Sequence, residues 1–146
     1  MTKLIEIDKK NKNHKDILFD ILNKRIFNIS HKKKISFEEH IYFVNNHPYR
    51  KWFFISQGNK IIGTIYLTFE NEIGINLIDK DHIAVKQSLQ LLFNMFKPLP
   101  PIPSIRNEKF LINISPRSNF IKNILKEIDA ILIQETYLFV DFDKNN

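Results

Sequence analysis

The side chains of this 146-residue chain that could carry out chemistry are mainly histidines, carboxylates and tyrosines. The histidines show neither the His-x-His nor the His-x₃-His spacing of a metal site, and no cysteine is present to add a thiolate ligand. These histidines are His14, His31, His40, His47 and His82. The three glycines cannot form a Gly-x-Ser-x-Gly nucleophile turn or a Walker phosphate loop. The sequence therefore predicts no metal site, no nucleophilic serine in such a turn and no Walker loop.

The charge balance is basic, with a formal net charge of +6. Lysines outnumber arginines 18 to 4, although arginine is the residue suited to bidentate contacts with phosphates and bases. The run Lys32, Lys33 and Lys34 is typical of a solvated turn. We therefore expect no nucleic-acid partner, while a general attraction for small anions remains open.

The N-terminal residues and the apolar runs bear on location. The first eight residues are too short and too acidic for a signal peptide, and no apolar run approaches the 18 residues of a membrane span. With no cysteine in the chain, a reducing compartment fits best. We expect a cytoplasmic protein that does not insert into a membrane.

Hydrophobic periodicity predicts the elements of the first half of the chain. A strand over residues 3–7 precedes a helix over residues 14–28. A second helix begins at Ser36, which has Glu39 three residues later in the capping-box pattern, and ends by Pro48; Phe37, Ile41 and Val44 form its inner stripe. Three strands follow as an antiparallel meander, over residues 51–56, 61–69 and 72–78. In the second of these strands, Ile61, Gly63, Ile65, Leu67 and Phe69 should share one face.

The second half alternates helices and strands. Apolar residues from Val85 to Phe96 mark a helix whose cap is Asp79 or Asp81. The proline-rich residues 98–103 should be an extended connector to a strand over residues 109–114. A helix with Pro116 in its first turn follows, and residues 131–133 and 136–142 are strand-like. The order β-α-α-β-β-β-α-β-α-β predicts one α/β domain, residues 1–146, with a mixed sheet covered on both faces.

That order is the one found in the GNAT superfamily of N-acetyltransferases, and local segments resemble a small bacterial branch linked to surface-sugar biosynthesis. The segments that carry the resemblance are residues 29–40, 46–55, 61–67, 71–75, 110–116 and 132–137. The resemblance implies a GNAT acyltransferase-like fold. In this fold the strand over residues 109–114 runs parallel to the strand over residues 72–78 and diverges from it as a V-shaped cleft.

The resemblance also implies a site for acetyl-CoA. The strand backbone would hold the pantetheine, the start of the next helix would lie at the pyrophosphate, and the last helix would complete the site. The residues at these positions are Ile75, Asn76, Leu77, Ile78, Lys80, His82, Ala84, Lys86, Asn113 and Ser118.

The donor motifs depart from the family pattern at several of these positions. Ile83 and Val85 stand where the family has glycines that let the phosphates approach the helix, and Asp79 and Asp81 add negative charge. In the last helix, Leu125 replaces the family's frequent tyrosine acid, and residues 129–130 replace a Gly-Phe pair. The sequence therefore predicts weak acetyl-CoA binding.

On the acceptor side, the resemblance places a general base at Glu72 and acceptor contacts at His31, His40 and Tyr66. For each residue a structural role is an alternative: a strand-end glutamate, packing histidines and a rim tyrosine. The implied function is an acetyl-CoA-dependent N-acyltransferase acting on a small amine, such as a nucleotide-linked amino sugar. The alternative is a catalytically inactive GNAT-like binding module, and whether the chain forms a homodimer stays open.

Overall fold

The computed structural model describes residues 1–24 and 35–141. Within them five strands and four helices follow one another along the chain. Their bounds are β1 (Thr2–Glu6), α1 (Lys12–Lys24), α2 (Phe37–Asn46), β2 (Tyr49–Gln57), β3 (Lys60–Thr68), β4 (Glu72–Leu77), α3 (His82–Met95), β5 (Leu111–Ile112) and α4 (Asn119–Glu127).

The five strands form one sheet in sequence order, β1-β2-β3-β4-β5. The first four pair antiparallel, since short turns connect β2 to β3 and β3 to β4. These turns contain Gly58 and Asn71, both with a positive φ that tight turns require. β5 pairs parallel with β4, because α3 carries the chain back across the sheet. The predicted meander and the parallel crossover are confirmed.

Each face of the sheet buries its own apolar cluster. Helices α3 and α4 cover the first face, whose cluster is Phe53, Ile55, Ile62, Ile65, Leu67, Ile73, Leu77, Ala84, Val85, Leu89, Leu92, Ile121 and Ile124. Helices α1 and α2 cover the second face, whose cluster is Leu18, Ile21, Val44, Trp52 and Phe54. The strands between them are therefore apolar on both sides, as in other sheets that helices cover.

A register shift in β3 changes the predicted face of that strand. Ile55 pairs with Gly63 but Ser56 pairs with Ile61, so Ile62 is the extra residue of a β-bulge. As a result Ile61 packs with the second cluster while Ile65 packs with the first. The prediction that Ile61 and Ile65 share a face is therefore wrong, because strict alternation does not survive a bulge.

The helices follow the sequence signals closely, with some corrections. Ser36 caps α2 by accepting a hydrogen bond from the Glu39 N–H at 3.2 Å, as predicted. The inner stripe of α2 consists of His40 and Val44, whereas Phe37 is exposed. α4 starts at Asn119, so Pro116 precedes the helix rather than opening it. The helix predicted over residues 14–28 is α1, and its expected last residues lie outside the described part of the chain.

The end of the chain differs most from the sequence prediction. β5 has two residues instead of the expected six, and the described residues after α4 contain no strand. The strands predicted over 131–133 and 136–142 are therefore wrong, apart from residue 142, which lies outside the described residues. Two residues after the end of α4, Asp129 has the left-handed conformation, φ 62°, at a position where helices usually have glycine. Among the helices of residues 1–24 and 35–141, none is long and apolar enough to cross a membrane.

Candidate functional site

Strand β4 is paired on one side and largely open on the other. Its ladder with β5 consists of two residue pairs, Glu72 with Leu111 and Ile73 with Ile112. No described residue of β5 pairs with β4 beyond Ile73, although β3 pairs with it as far as Leu77. This early end of the ladder is what the predicted cleft between the two strands requires.

The direction of the β4 backbone groups follows from the hydrogen bonds at its two ends. The Ile78 N–H donates to the Ile62 carbonyl on the β3 side, and the Asn71 carbonyl accepts from the Leu111 N–H on the β5 side. Since these directions alternate along an antiparallel strand, the N–H and C=O groups of Ile75 and Leu77 point toward the open side. They offer a short row of peptide donors and acceptors to a ligand that carries amide groups.

Asn71 anchors the start of β4. The sequence indicated only that this residue lies between two strands of the meander. Its side chain is fully buried and donates to the carbonyls of Leu99 and Asn107, at 2.9 and 2.8 Å, while it accepts from the Leu99 N–H at 2.8 Å. These bonds fix the loop of residues 98–107 against the β3–β4 turn. Arg106 adds a bond to the Phe69 carbonyl at 3.0 Å. A sequence cannot show this role, because the partners are backbone groups 28 and 36 residues away.

Glu72, Tyr66 and Tyr49 lie together on the face of the sheet that α1 and α2 cover. Tyr66 pairs with Gly74, which is two residues from Glu72 and therefore on the same face. The Tyr66 ring stacks on the Tyr49 ring with a centroid distance of 4.0 Å and an interplanar angle of 6°. A methyl group on Gly74 would overlap the Tyr66 ring, so glycine is what lets this ring lie against β4. The structure thus places the predicted base beside one of the predicted acceptor residues.

The Glu72 side chain is half-buried at the first residue of β4. The backbone N–H of Glu72 donates to the Thr68 hydroxyl at 3.1 Å, which connects the start of β4 to β3. None of the ion pairs among residues 1–24 and 35–141 involves the Glu72 carboxylate. The carboxylate is therefore not neutralised by a neighbouring cation in the described structure.

The two histidines of the predicted acceptor side stand differently. His40 is buried between α1 and α2, where its Nε2 lies 3.1 Å from the Lys15 carbonyl and its ring packs against Phe19 and Phe37. Burial lowers the pKa of His40, and the bond to the Lys15 carbonyl opposes this in part. These contacts suit the packing role that the sequence left as an alternative. His31 lies outside the described residues.

Helix α3 begins with its own carboxylate cap. Asp81 Oδ1 accepts the Ala84 N–H at 3.0 Å, so one of the free donors at the helix start is already used. Asp79 forms an ion pair with Lys60 at 2.9 Å. Two carboxylates therefore lie where the resemblance expects the donor phosphates.

The side chains of the first turn of α3 correct the predicted steric block. Ile83 is 61% exposed, so its branched side chain does project at the helix start. Val85 and Ala84 are instead fully buried in the cluster beneath α3. The expectation that Val85 blocks a phosphate is therefore wrong, because a residue two positions further along a helix faces another direction.

An open pocket of about 510 Å³ lies at the same loop, on the side of the β2–β3 turn. Its lining mixes charges of both signs with two apolar side chains. The lining residues are Gln57, Lys60, Ile62, Asp79, Lys80, Asp81, His82 and Ile83. Of the predicted donor residues, only Lys80 and His82 line it.

His82 and Lys86, two of the predicted phosphate ligands, share a carboxylate from α4. The His82 Nε2 lies 2.8 Å from the Glu127 Oε2, and the Lys86 Nζ lies 3.6 Å from the same oxygen. All three side chains are about half exposed, so the pairs stabilise the fold by little. They nevertheless connect the start of α3 to the end of α4, and they engage two of the side chains predicted to contact the phosphates.

The predicted donor residues near α4 lie at its start. Ser118 is the N-cap residue, and its buried Oγ has no hydrogen-bond partner among the described residues. Asn113 is exposed one residue after β5. In the described part of the chain, no group of three or more histidine, aspartate or glutamate side chains could hold a metal ion.

Comparisons with known proteins show the fold. No family model matches the sequence, and a search of curated proteins gives no match. Among solved structures the chain is similar to a "possible acetyltransferase from Clostridium difficile 630", with a TM-score of 0.54 and 12% sequence identity. The alignment covers 95% of this chain and 97% of that chain. The mixed five-stranded sheet with its four helices is therefore an acetyltransferase-like α/β fold.

Proposed function

We propose that this chain is an N-acyltransferase that moves an acyl group from a pantetheine thioester, such as acetyl-CoA, to a small amine. The observation that carries the proposal is the open edge of β4 in an acetyltransferase-like fold. The acceptor class that we propose is an amino sugar linked to a nucleotide, on the resemblance of the sequence to proteins of surface-sugar biosynthesis.

The described residues fit the pantetheine arm of the donor. The arm contains two amide groups, and the N–H and C=O groups of Ile75 and Leu77 point toward the open side of β4, where they could pair with amides as a neighbouring strand would. The buried Ser118 Oγ has no hydrogen-bond partner within residues 1–24 and 35–141, and a ligand that supplies one would remove the cost of an unsatisfied hydroxyl. These groups belong to the residues that the resemblance assigns to the donor.

The start of α3 does not fit the donor's pyrophosphate in the same way. Asp81 already caps the helix, and Glu127 holds both His82 and Lys86. A diphosphate would have to displace Glu127 from His82 and Lys86, and it would lie close to the Asp81 carboxylate. We therefore expect acetyl-CoA to bind through its arm, with a dissociation constant of about 0.1 mM or weaker, or roughly −5.5 kcal/mol at best.

In the proposed reaction, the donor supplies an activated acyl group, and the chain supplies a base and a surface that binds the acceptor. The amine nitrogen forms a bond to the acyl carbon, the carbon–sulfur bond breaks with the sulfur leaving as the thiolate of the donor arm, and the proton lost by the amine goes to the Glu72 carboxylate. The stacked, half-buried rings of Tyr49 and Tyr66 lie on the same face of the sheet as Glu72, where their edges would line the binding face for a sugar. His31 and His40 stay predictions for this side.

A second candidate function is a binding module without catalysis. The acidic start of α3 and the engagement of His82 and Lys86 by Glu127 favour it, because both features oppose a phosphorylated donor. The two functions differ in one respect that can be measured: only an acyltransferase releases thiol when an amine is added.

The test is release of free thiol from acetyl-CoA in the presence of a panel of amines. The panel contains free amino sugars, nucleotide-linked amino sugars and amino acid amines, with the same sugars lacking the amino group as matched controls. We expect release with at least one nucleotide-linked amino sugar and none with its control. Absence of amine-dependent release across the panel, at donor concentrations well above 0.1 mM, would favour the binding module.

A further inference from the structure

The segment of residues 131–140 is strongly apolar yet exposed. Its large apolar side chains are between 59% and 82% exposed, namely Ile131, Leu132, Ile133, Tyr137, Leu138, Phe139 and Val140. Soluble monomers rarely expose a contiguous apolar surface larger than a few hundred Å². An exposed surface of this kind marks an interaction site.

A second apolar surface lies beside β5, at the edge of the sheet. Phe93 near the end of α3 stacks on Phe110, the residue before β5, at a centroid distance of 5.8 Å. Further exposed apolar side chains come from the end of α3 and from the loop that Asn71 holds against the sheet, namely Met95, Ile102 and Ile105. β5 itself has β4 on one side and no described strand on the other. An open strand edge flanked by apolar side chains accepts an additional strand.

We propose that residues 131–140 of one copy of this chain pair with the β5 edge of a second copy, in a symmetric dimer. Each copy carries both the segment and the edge, so a two-fold axis satisfies both at once. The segment is rich in residues that favour strands. Three aliphatic residues in a row stand at positions 131–133, and a second apolar run extends from Tyr137 to Val140. In the structure it is exposed instead of lying against its own β5.

Charge and area agree with a second copy as the occupant. Residues 131–140 contain one carboxylate and no cation, whereas residues 97–117 around β5 contain four cations and one carboxylate. The four cations are Lys97, Arg106, Lys109 and Arg117. Seven large side chains at this exposure bury on the order of 800 Å² per copy, which is the size of a standard stable interface.

The first test measures the mass of the whole chain by light scattering after size exclusion, from micromolar to hundreds of micromolar concentrations. We expect a dimer of about 35 kDa, twice the 17.4 kDa of one chain. Leu138→Asp should halve the mass and leave the fold intact, because Leu138 is exposed within its own copy. Gln134→Asp, the same new charge at an exposed polar position of the segment, should keep the dimer. A monomer at every concentration, or a dimer that Leu138→Asp does not affect, overturns the proposal.

The second test identifies what the segment contacts. Because the chain has no cysteine, single variants Thr136→Cys and Asn113→Cys each introduce one exposed thiol. An equal mixture of the two, treated with a short bismaleimide, should give a covalent dimer in greater yield than either variant alone. If the segment instead folds onto its own β5, the mixture gives no excess of dimer, and a variant that carries both cysteines cross-links within one chain. That result would contradict the pairing between two copies.

Discussion

The two ends of β4 have opposite environments. At its start, Asn71 satisfies three backbone groups of a distant loop, β5 pairs with the strand, and Glu72 lies beside the Tyr66 ring. At its end, β5 no longer pairs with the strand, and the following loop presents Asp79 and Asp81. The strand therefore begins in a fixed polar network and ends at an open edge.

This difference suggests a division of roles along one strand. A base must be held in place to act, and the anchored start of β4 provides that rigidity. A ligand that pairs with backbone groups needs an unpaired edge, and the far end of β4 provides it. The features that oppose a phosphorylated donor all lie beyond this edge, so they weaken one part of the site and leave the rest intact.

The largest expected effect is at the anchored end. Glu72→Gln keeps the size of the side chain but removes the proposed base, so the proposed acyl transfer should slow by about 10²- to 10⁴-fold. Acetyl-CoA affinity should hardly change, because Glu72 lies away from the open part of β4. Steady-state kinetics and titration calorimetry on the same preparation separate these quantities.

The matched control for this change is Glu70→Gln, which removes a carboxylate from the exposed β3–β4 turn. It should keep the wild-type rate. A fully active Glu72→Gln enzyme would assign Glu72 to a structural role and direct attention to His31 and His40.

The next effect is on stability. Asn71→Ala leaves the carbonyls of Leu99 and Asn107 and the Leu99 N–H without their partner, and it places alanine at a φ of 63°. The free energy of unfolding should fall by about 3 kcal/mol or more. Chemical denaturation measures it. Asn71→Gly also loses the side-chain bonds but accepts the positive φ, so it should be about 1 kcal/mol more stable than the alanine variant. Equal stability of wild type and Asn71→Ala would show that the loop of residues 98–107 is held by other contacts.

The smallest expected effect lies beyond the open end of β4, at the start of α3. Glu127→Gln removes the carboxylate that engages His82 and Lys86, so both side chains become available to the donor phosphates. Acetyl-CoA should bind about 3- to 10-fold more tightly at low salt, and less so as salt screens the charges. The matched control is Glu38→Gln, at an exposed position of α2. It changes the net charge by the same amount and should leave the affinity for acetyl-CoA unchanged. An unchanged affinity in Glu127→Gln would mean that the phosphates do not approach α3 at all.

Local signals in the sequence predicted most of the fold. The Ser36 and Asp81 caps and the meander depend on residues near one another in the chain, and the structure has them. The parallel pairing of β4 with β5 joins distant residues, and it was predictable because a helix connects the two strands. Residues 131–133 have the composition of a strand but form none, because a strand needs a neighbour to pair with. Composition cannot show whether that neighbour lies within the same chain.

The candidate site was predictable only in part, for a similar reason. Tyr66 and Glu72 lie close together because the β3–β4 register brings them to one face, which the meander already implied. The Asn71 network and the Glu127 pairs join residues at least 28 positions apart, and no local pattern encodes them. Val85 was assigned to the phosphate side by alignment with the family's glycines, although the apolar spacing from Val85 to Phe96 already marked the face of α3 that packs on the sheet.

The most direct test of the central claim compares two donors by titration calorimetry on the wild-type chain. The donors are acetyl-CoA and S-acetylpantetheine, which has the same arm and thioester but no phosphate. If the β4 edge holds the arm and the start of α3 adds little, both should bind near 0.1 mM or weaker and within about threefold of each other. Micromolar binding of acetyl-CoA together with much weaker binding of S-acetylpantetheine would contradict the account, as would no binding of either donor.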